Sequence, residues 1–359
     1  MTVDEQAKPV AAQTNDAAEA QTAPEKIMMP DLLTVSPSPH ARRGVTTSHL
    51  MRDVLIALVP ATVWGFYLFG FRAALTVLIS MVSCVLFELL TELILKRTVT
   101  IADCSAAVTG LLLGLNLPPD APFYIPIVGS AFAIIVVKQL FGGIGKNIMN
   151  PALAARVFLV LTWTNGMTGF RNAYEYSFIP DAVSSATPLV ALKSGLFDGS
   201  LLDLFLGRIG GCIGEVSTLM LLIGGIYLLV RRVITWHIPA AYLGTVALLS
   251  FLFPAGEMGR FAYAAASLCS GGLMLGAIFM ATDYVTAPVT RVGKLIYGVG
   301  CGLITVFIRR LGGYAEGVSF AILIMNALVW YLDMFTKPRV YGTERHPKKQ
   351  KQAEGGAGK

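Results

Sequence analysis

Apolar residues dominate this chain in long runs broken by short polar stretches, and most runs approach the length that a bilayer requires. Ten runs can be drawn, at about 54–71, 73–95, 102–117, 122–141, 150–163, 213–230, 236–253, 261–281, 294–308 and 317–335. Apolar stretches of roughly 18 or more residues read as transmembrane helices and not as the core of a soluble domain. Two runs are short: the third ends at Leu117-Pro118-Pro119, and the fifth has only Pro151 to Trp163 before a polar loop begins. The expected fold class is therefore an all-α integral membrane protein with about ten transmembrane helices.

The halves echo one another. Gly110-Leu-Leu-Leu-Gly114 on the third run resembles Gly272-Leu-Met-Leu-Gly276 on the eighth, and Gly142-Gly143 before the fifth resembles Gly312-Gly313 before the tenth. Five spans per half is an odd number, so the halves would point in opposite directions. That arrangement is a 5+5 inverted repeat, with short or broken helices at its centre; the alternative is a chance match between glycine-rich helices. Residues 1–35, rich in Ala, Glu, Asp, Gln and Thr, read as a disordered cytoplasmic tail. Residues 36–341 form the expected membrane domain, with halves at about 54–163 and 213–335 joined by loop 164–212. Residues 342–359 read as a basic cytoplasmic tail.

Composition agrees. The chain has 359 residues, 55% hydrophobic and 14% charged, with a mean hydropathy of +0.65, whereas soluble domains are about 25% charged. The net charge of +6 would raise nucleic acid as a partner in a soluble protein. Here the basic residues lie beside helix ends, where they set orientation in the lipid bilayer, and nothing supports nucleic-acid recognition. Arg42, Arg43, Arg52, Lys96, Arg97, Lys146, Arg231, Arg232, Arg291, Lys294, Lys337 and Arg339 fall on one side of a ten-span topology. Both termini are then cytoplasmic and loop 164–212 extracytoplasmic; Arg309-Arg310 is the main exception. No apolar signal-peptide core opens the chain, so the first helix is expected to insert uncleaved. Cys84, Cys104, Cys212, Cys269 and Cys301 are scattered and form no C-x-x-C pair, and the four histidines have no metal-ligand spacing; no metal is expected.

The most informative polar stretch is Asp181-Ala-Val-Ser184-Ser185-Ala186-Thr187-Pro188-Leu189. Its spacing resembles the acceptor signature at which a flavin transferase joins FMN to threonine through a phosphodiester. A threonine hydroxyl is a poor nucleophile, so an external enzyme is required, and that enzyme needs an extended, small-residue segment. Pro188 biases Thr187 away from helical geometry. An ordinary Ser/Thr turn leading into a helix cap is the structural alternative.

Ser36-Pro-Ser-Pro-His40, Gly142-Gly-Ile-Gly-Lys-Asn-Ile-Met-Asn-Pro-Ala152, Ser184-Ser-Ala-Thr-Pro-Leu189 and Met280-Ala-Thr-Asp-Tyr-Val-Thr-Ala-Pro288 occur in this order over residues 36–341. Together they make the chain resemble the family of the D subunit of the Rnf complex, an ion-translocating ferredoxin:NAD oxidoreductase. The homologous B subunit of the sodium-pumping NADH:quinone oxidoreductase is the near alternative. The resemblance implies covalent FMN on Thr187, with Asp181, Ser184, Ser185 and Ala186 as the attachment motif. Ser185 departs from the glycine often found there but is still small. It also implies a second flavin, a non-covalent riboflavin; a flavin transferase; the other Rnf subunits as partners, including the FMN-bearing G subunit and the membrane A and E subunits; and coupling to Na+ or H+. Such a protein carries electrons within an oxidoreductase and is not expected to be catalytic alone. Arg171, Tyr174 and Tyr176 could contact a flavin or anchor the loop at the interface.

Three further sites are open to two readings. The Gly142 to Pro151 stretch fails the Walker pattern. It reads as a glycine turn followed by a helix capped by Asn150 with Pro151 first. That helix start, with Asn147, could face a flavin or be a simple cap. Asp283, at the end of the eighth run, is either part of a flavin site or ion path, or an interfacial carboxylate paired with Arg291 or Lys294. Glu88 lies a helical turn from Glu92 and deeper in its run, and is a candidate on an ion path. The rival functional class is a passive channel or secondary transporter with the same inverted fold; a cofactor-free scaffold is a third. Flavin fluorescence surviving denaturation separates them.

Overall fold

The break that matters first is Gly70. Helix α1 runs Thr47–Ile94, 48 residues, which at 1.5 Å per residue is about 72 Å, more than twice a hydrocarbon core of about 30 Å. Gly70 has φ 75° and ψ −161°, a conformation essentially reserved for glycine. It divides α1 into two arms, and these arms are the first and second apolar runs. This computed structural model describes residues 46–174, 187–195, 197, 199–256, 258–314 and 316–338, all within the compact unit Val45–Lys359. The two expected tails and Asp181, Ser184, Ser185 and Ala186 lie outside the described residues.

After α1 come α2 (Ser105–Leu115), α3 (Tyr124–Gln139), α4 (Pro151–Thr162), α5 (Thr164–Thr168), α6 (Pro188–Ser194) and α7 (Leu201–Leu206). The second half holds α8 (Thr218–Val230), α9 (His237–Leu252), α10 (Arg260–Cys269), α11 (Leu273–Met280), α12 (Arg291–Leu311) and α13 (Val318–Thr336). The described residues are helical, with no strand among them. Helices α1, α12 and α13 are long and apolar enough to cross a membrane, and α10 with α11, bent by 65°, adds a fourth. Helices α2, α3, α4, α8 and α9 are apolar but have only 10–17 residues, short of the roughly 20 that a crossing takes. Among the described residues, length and composition thus support a multi-pass membrane protein with three or four helices that meet this test; the count of ten does not follow from it.

Short helices leave polar ends inside the protein, and the ends of α2 and α4 have partners. Asp103 accepts from the Ser105 N–H at 2.8 Å and its hydroxyl at 2.6 Å, which caps α2. Asn150 caps α4, accepting from Ala152 N–H at 3.0 Å and Leu153 N–H at 3.3 Å, with Pro151 first. The preceding turn carries three glycines at positive φ, Gly142, Gly143 and Gly145. The glycine pairs of the two halves are not equivalent in their contacts. Gly114 lies against Val77 and Ser80 of α1, whereas its counterpart Gly276 lies against Val318 and Ile322 of α13.

Arg309 and Arg310, the exception in the charge pattern, have local work. Arg309 is buried and donates to the carbonyls of Ser267 at 2.7 Å and Ser270 at 3.1 Å. It therefore satisfies the open C-terminal end of α10 where the span breaks. Arg310 lies over the Tyr263 ring, 5.7 Å from its centroid. Neither is a loop charge free to report orientation.

Candidate functional site

Thr187 is the residue before α6. Its backbone is extended, φ −66° and ψ 149°, and Pro188 opens the helix, as the pre-proline restriction and the preference of proline for a first turn require. The Thr187 side chain makes no capping hydrogen bond. It stands on the wall of a cavity of about 370 Å³, within the range of small-molecule sites. Phe170, Tyr314 and Phe320 supply aromatic walls, and Gly210, Gly211 and Gly271 leave backbone exposed to the space.

One side of that cavity is charged. Arg156 of α4 is buried. Its guanidinium lies 2.5 Å from Glu215, in the loop before α8, and 2.5 Å from Glu316, in the loop before α13. It also donates to Asn116 Oδ1, beyond the end of α2, at 2.6 Å. Glu316 accepts a further bond from the Gly272 N–H at 2.6 Å, within the break between α10 and α11. A Cβ at Gly272 would collide with the carboxylates of both Glu316 and Glu215, so only glycine lets the backbone approach. Removing a guanidinium from water costs several kcal/mol, which is offset only by well-aligned partners; three separate chain segments supply them here.

Asn147, Asn150 and Asp283 are brought together elsewhere, on a second cavity of about 90 Å³ that also touches Thr282, Ser105 and Lys138. Asn150 Nδ2 donates to the Met280 carbonyl at 3.3 Å, which ties the start of α4 to the end of α11. Asn147 Oδ1 is buried without a hydrogen-bond partner. Asp283 accepts from the Thr286 hydroxyl at 3.0 Å and, among the described residues, forms no ion pair with Arg291 or Lys294. Burial pushes the Asp283 carboxyl above the ordinary aspartate range, and bonds from Thr286 and the Val285 and Tyr284 amides partly offset this. Glu88 is not on this cavity. It is fully buried behind it, ion-paired with Lys138, with Gln139 donating at 3.3 Å. Lys138 in turn donates to Ser105 at 2.6 Å. Glu92 accepts from the Thr100 N–H at 3.1 Å. Arg171 is buried and pairs with Asp120 at 2.7 Å; it does not line the Thr187 cavity. Tyr174 meets Tyr67 edge-on at 6.0 Å, and Tyr176 lies outside the described residues.

Residues 34–342 match the model of the NQR2, RnfD, RnfE family. The chain belongs to that family. A relative from Acetobacterium woodii, named as the D subunit of a Na(+)-translocating ferredoxin:NAD(+) oxidoreductase complex, is 47% identical over 323 residues, covering 89% of this chain and 98% of the relative. One from Clostridium ljungdahlii, named as the D subunit of a proton-translocating ferredoxin:NAD(+) oxidoreductase complex, is 41% identical over 326 residues, covering 88% and 98%. One from Escherichia coli, named as the D subunit of an ion-translocating oxidoreductase complex, is 35% identical over 344 residues, covering 86% and 98%.

Three stretches that carried the resemblance to this family come to the two cavities. Thr187 to Val190 line the larger one. Parts of the 142–152 and 280–288 stretches line the smaller one. Helix α4 connects them, with Asn150 and Pro151 at the smaller cavity and Arg156, Val157 and Val160 at the larger. The Arg156 cluster was not singled out in the sequence. A signal existed, because an arginine inside an apolar run demands a counter-charge. Its partners are 59 and 160 residues away, however, and spacing does not reveal them.

Proposed function

We propose that this chain is the D subunit of an Rnf-type ferredoxin:NAD oxidoreductase. It would act as a membrane electron carrier with FMN joined to Thr187 by a phosphodiester, in a complex that moves Na+ or H+. The observation that carries this reading is the position of Thr187: extended, uncapped, and on the wall of a 370 Å³ cavity with aromatic sides. The full-length similarity to relatives named as D subunits supports the choice of complex, and favours it over the quinone-reducing homologue.

The residues at the cavity fit the group. Phe170, Tyr314 and Phe320 offer apolar faces to a planar ring, and the Gly210-Gly211 backbone offers close approach. FMN, when bound, supplies exchange between one-electron and two-electron carriers. The chain's own share is to hold the ring out of bulk water and to set the charge beside it through Arg156, Glu215 and Glu316. The second cavity does not fit a flavin in this conformation: about 90 Å³ is well below the roughly 300 Å³ at which ligand pockets begin. Riboflavin therefore has no assigned role there.

In this reading the membrane domain has ten crossings in a 5+5 inverted repeat. Both termini are cytoplasmic, and Thr187 faces the extracytoplasmic side of a bacterial inner membrane, where a flavin transferase reaches it. The G, A and E subunits are the expected neighbours in the complex. Of the two carboxylates expected on an ion path, Asp283 is the better placed, because Glu88 is already neutralised by Lys138. The purified protein, run on a denaturing gel under ultraviolet light, should fluoresce as a flavin, and Thr187→Val should abolish the signal. A dark wild-type band from the native host would sink the proposal. Unaltered ion transport in a Glu88→Gln/Asp283→Asn double variant would count against those carboxylates alone.

A further inference from the structure

The Arg156 cluster lies on the cavity that Thr187 borders, and its formal charges do not balance. One guanidinium serves two carboxylates, so Arg156, Glu215 and Glu316 together carry one net negative charge. The groups around them are few. Asn116 and Cys212 are neutral partners of Arg156, and Tyr314 is a neutral wall residue. Among the described residues, Arg309 is the other charge facing the cluster. Its terminal nitrogen would lie 3.4 Å from a Cβ placed on Gly271. Its bonds go to the Ser267 and Ser270 carbonyls, and among the described residues it forms no ion pair with either glutamate. Lys193 donates to the Gly312 carbonyl and does not line this cavity.

We propose that the Glu215–Arg156–Glu316 cluster is the charge-compensating group of the Thr187 cavity, taking up one proton, chiefly on Glu215, when an electron arrives there. The inference rests on the reading of Thr187 as the flavin carrier. An electron entering a site of low dielectric constant is costly unless a positive charge follows it. Lysine and arginine are already protonated, so among the described groups facing the cavity a carboxylate is the one able to gain that charge. Two carboxylates sharing a site respond as a unit, and one of them accepts the proton.

Geometry selects Glu215. Glu316 is held by Arg156 and also by the Gly272 backbone N–H, a bond that favours the ionised form. Glu215 is held by Arg156 and has the Cys212 thiol beside it, a weak donor. The side chains are 5% exposed for Glu215 and 21% for Glu316. Glu316 thus stands at the wetter end, where a proton enters from the aqueous phase. The step balances simply. A one-electron carrier in a partner protein would be oxidised, the FMN held at Thr187 would take up that electron, and one proton would pass from solvent water to a carboxylate oxygen of the pair, with no other bond changed.

The test is reduced-minus-oxidised infrared difference spectroscopy on the intact complex, with the mass of the Thr187 peptide measured on the same preparation. Reduction should produce a new carbonyl band of a protonated carboxyl that shifts in heavy water. The band should vanish in Glu215→Gln and return at an altered frequency in Glu215→Asp. Over neutral pH the midpoint potential of the bound flavin should depend less on pH in Glu215→Gln than in the wild type. An FMN-bearing wild type with no such band, or a band that persists in both Glu215→Gln and Glu316→Gln, overturns this inference and leaves the flavin reading intact. A wild-type Thr187 peptide without the FMN mass removes that reading, and this inference with it.

Discussion

Arg156 and Glu316 lie 160 residues apart in the chain and 2.5 Å apart in the fold. Their ion pair, with Glu215 on the other side of the same guanidinium, locks α4 of the first half to the approach to α13 in the second. A buried pair of this kind adds little net stability compared with an apolar replacement, but breaking it from one side is expensive.

Arg156→Leu should therefore be strongly destabilising. It leaves the buried Glu215 and the half-buried Glu316 without a cation, a loss of about 3–5 kcal/mol by analogy with other broken buried pairs. Thermal unfolding of the purified protein in detergent reads this directly. The triple change Arg156→Leu/Glu215→Leu/Glu316→Leu should recover a large part of the loss, and an Arg156→Leu variant as stable as wild type would contradict the assignment.

Thr187→Val should have the opposite profile. The side chain makes no capping bond, so stability should change by no more than about 0.5 kcal/mol, while covalent flavin is lost. Thr187→Ser keeps a hydroxyl at the same place and should retain some label. Parallel melting curves and in-gel fluorescence separate loss of attachment from loss of fold.

Gly70→Ala tests the break in α1. A Cβ at φ 75°, ψ −161° is forced into a region that costs about 1–3 kcal/mol. The variant should melt lower, whereas Gly244→Ala, a site in α9 where an added Cβ meets nothing within 4 Å, should not.

Asp283 gives a pH dependence with a defined sign. Partial removal from water pushes the carboxyl of half-buried Asp283 above the ordinary aspartate range. The folded state thus holds a proton that the unfolded chain has already released. Folding stability should fall as pH rises from the ordinary carboxylate range through the folded value, and level off above it. Asp283→Asn should flatten that segment of the curve and raise the melting temperature at neutral pH, with little gain near the ordinary carboxylate range. A steeper curve in the variant would refute the assignment.

Some of this was legible in the chain and some was not. The Asn150-Pro151 helix start could be read because a cap bonds residues two and three positions ahead, a local relation that sequence spacing encodes. The extended Thr187 followed from its proline neighbour in the same way. Arg309 misled the charge reading because its role, capping the broken end of α10 from α12, is a contact across 42 residues. Asp283 looked like a partner for Arg291 or Lys294, yet its bonds are to the turn that follows it. Glu88 stood out as an isolated acid, and its partner Lys138 lies 50 residues on, in a helix that widens to a π form there.

The linear pattern alone determined that the chain is helical and apolar, where several of its helices begin, and which threonine stands extended before a proline. Those properties depend on backbone sterics and on neighbours within a turn. Only the folded arrangement decided that Thr187 shares a cavity with Arg156, that two distant glutamates divide one guanidinium, and that Asn147, Asn150 and Asp283 meet at a separate and smaller space. Charges removed from water must find partners wherever packing supplies them, and that search runs through space without regard to distance along the chain.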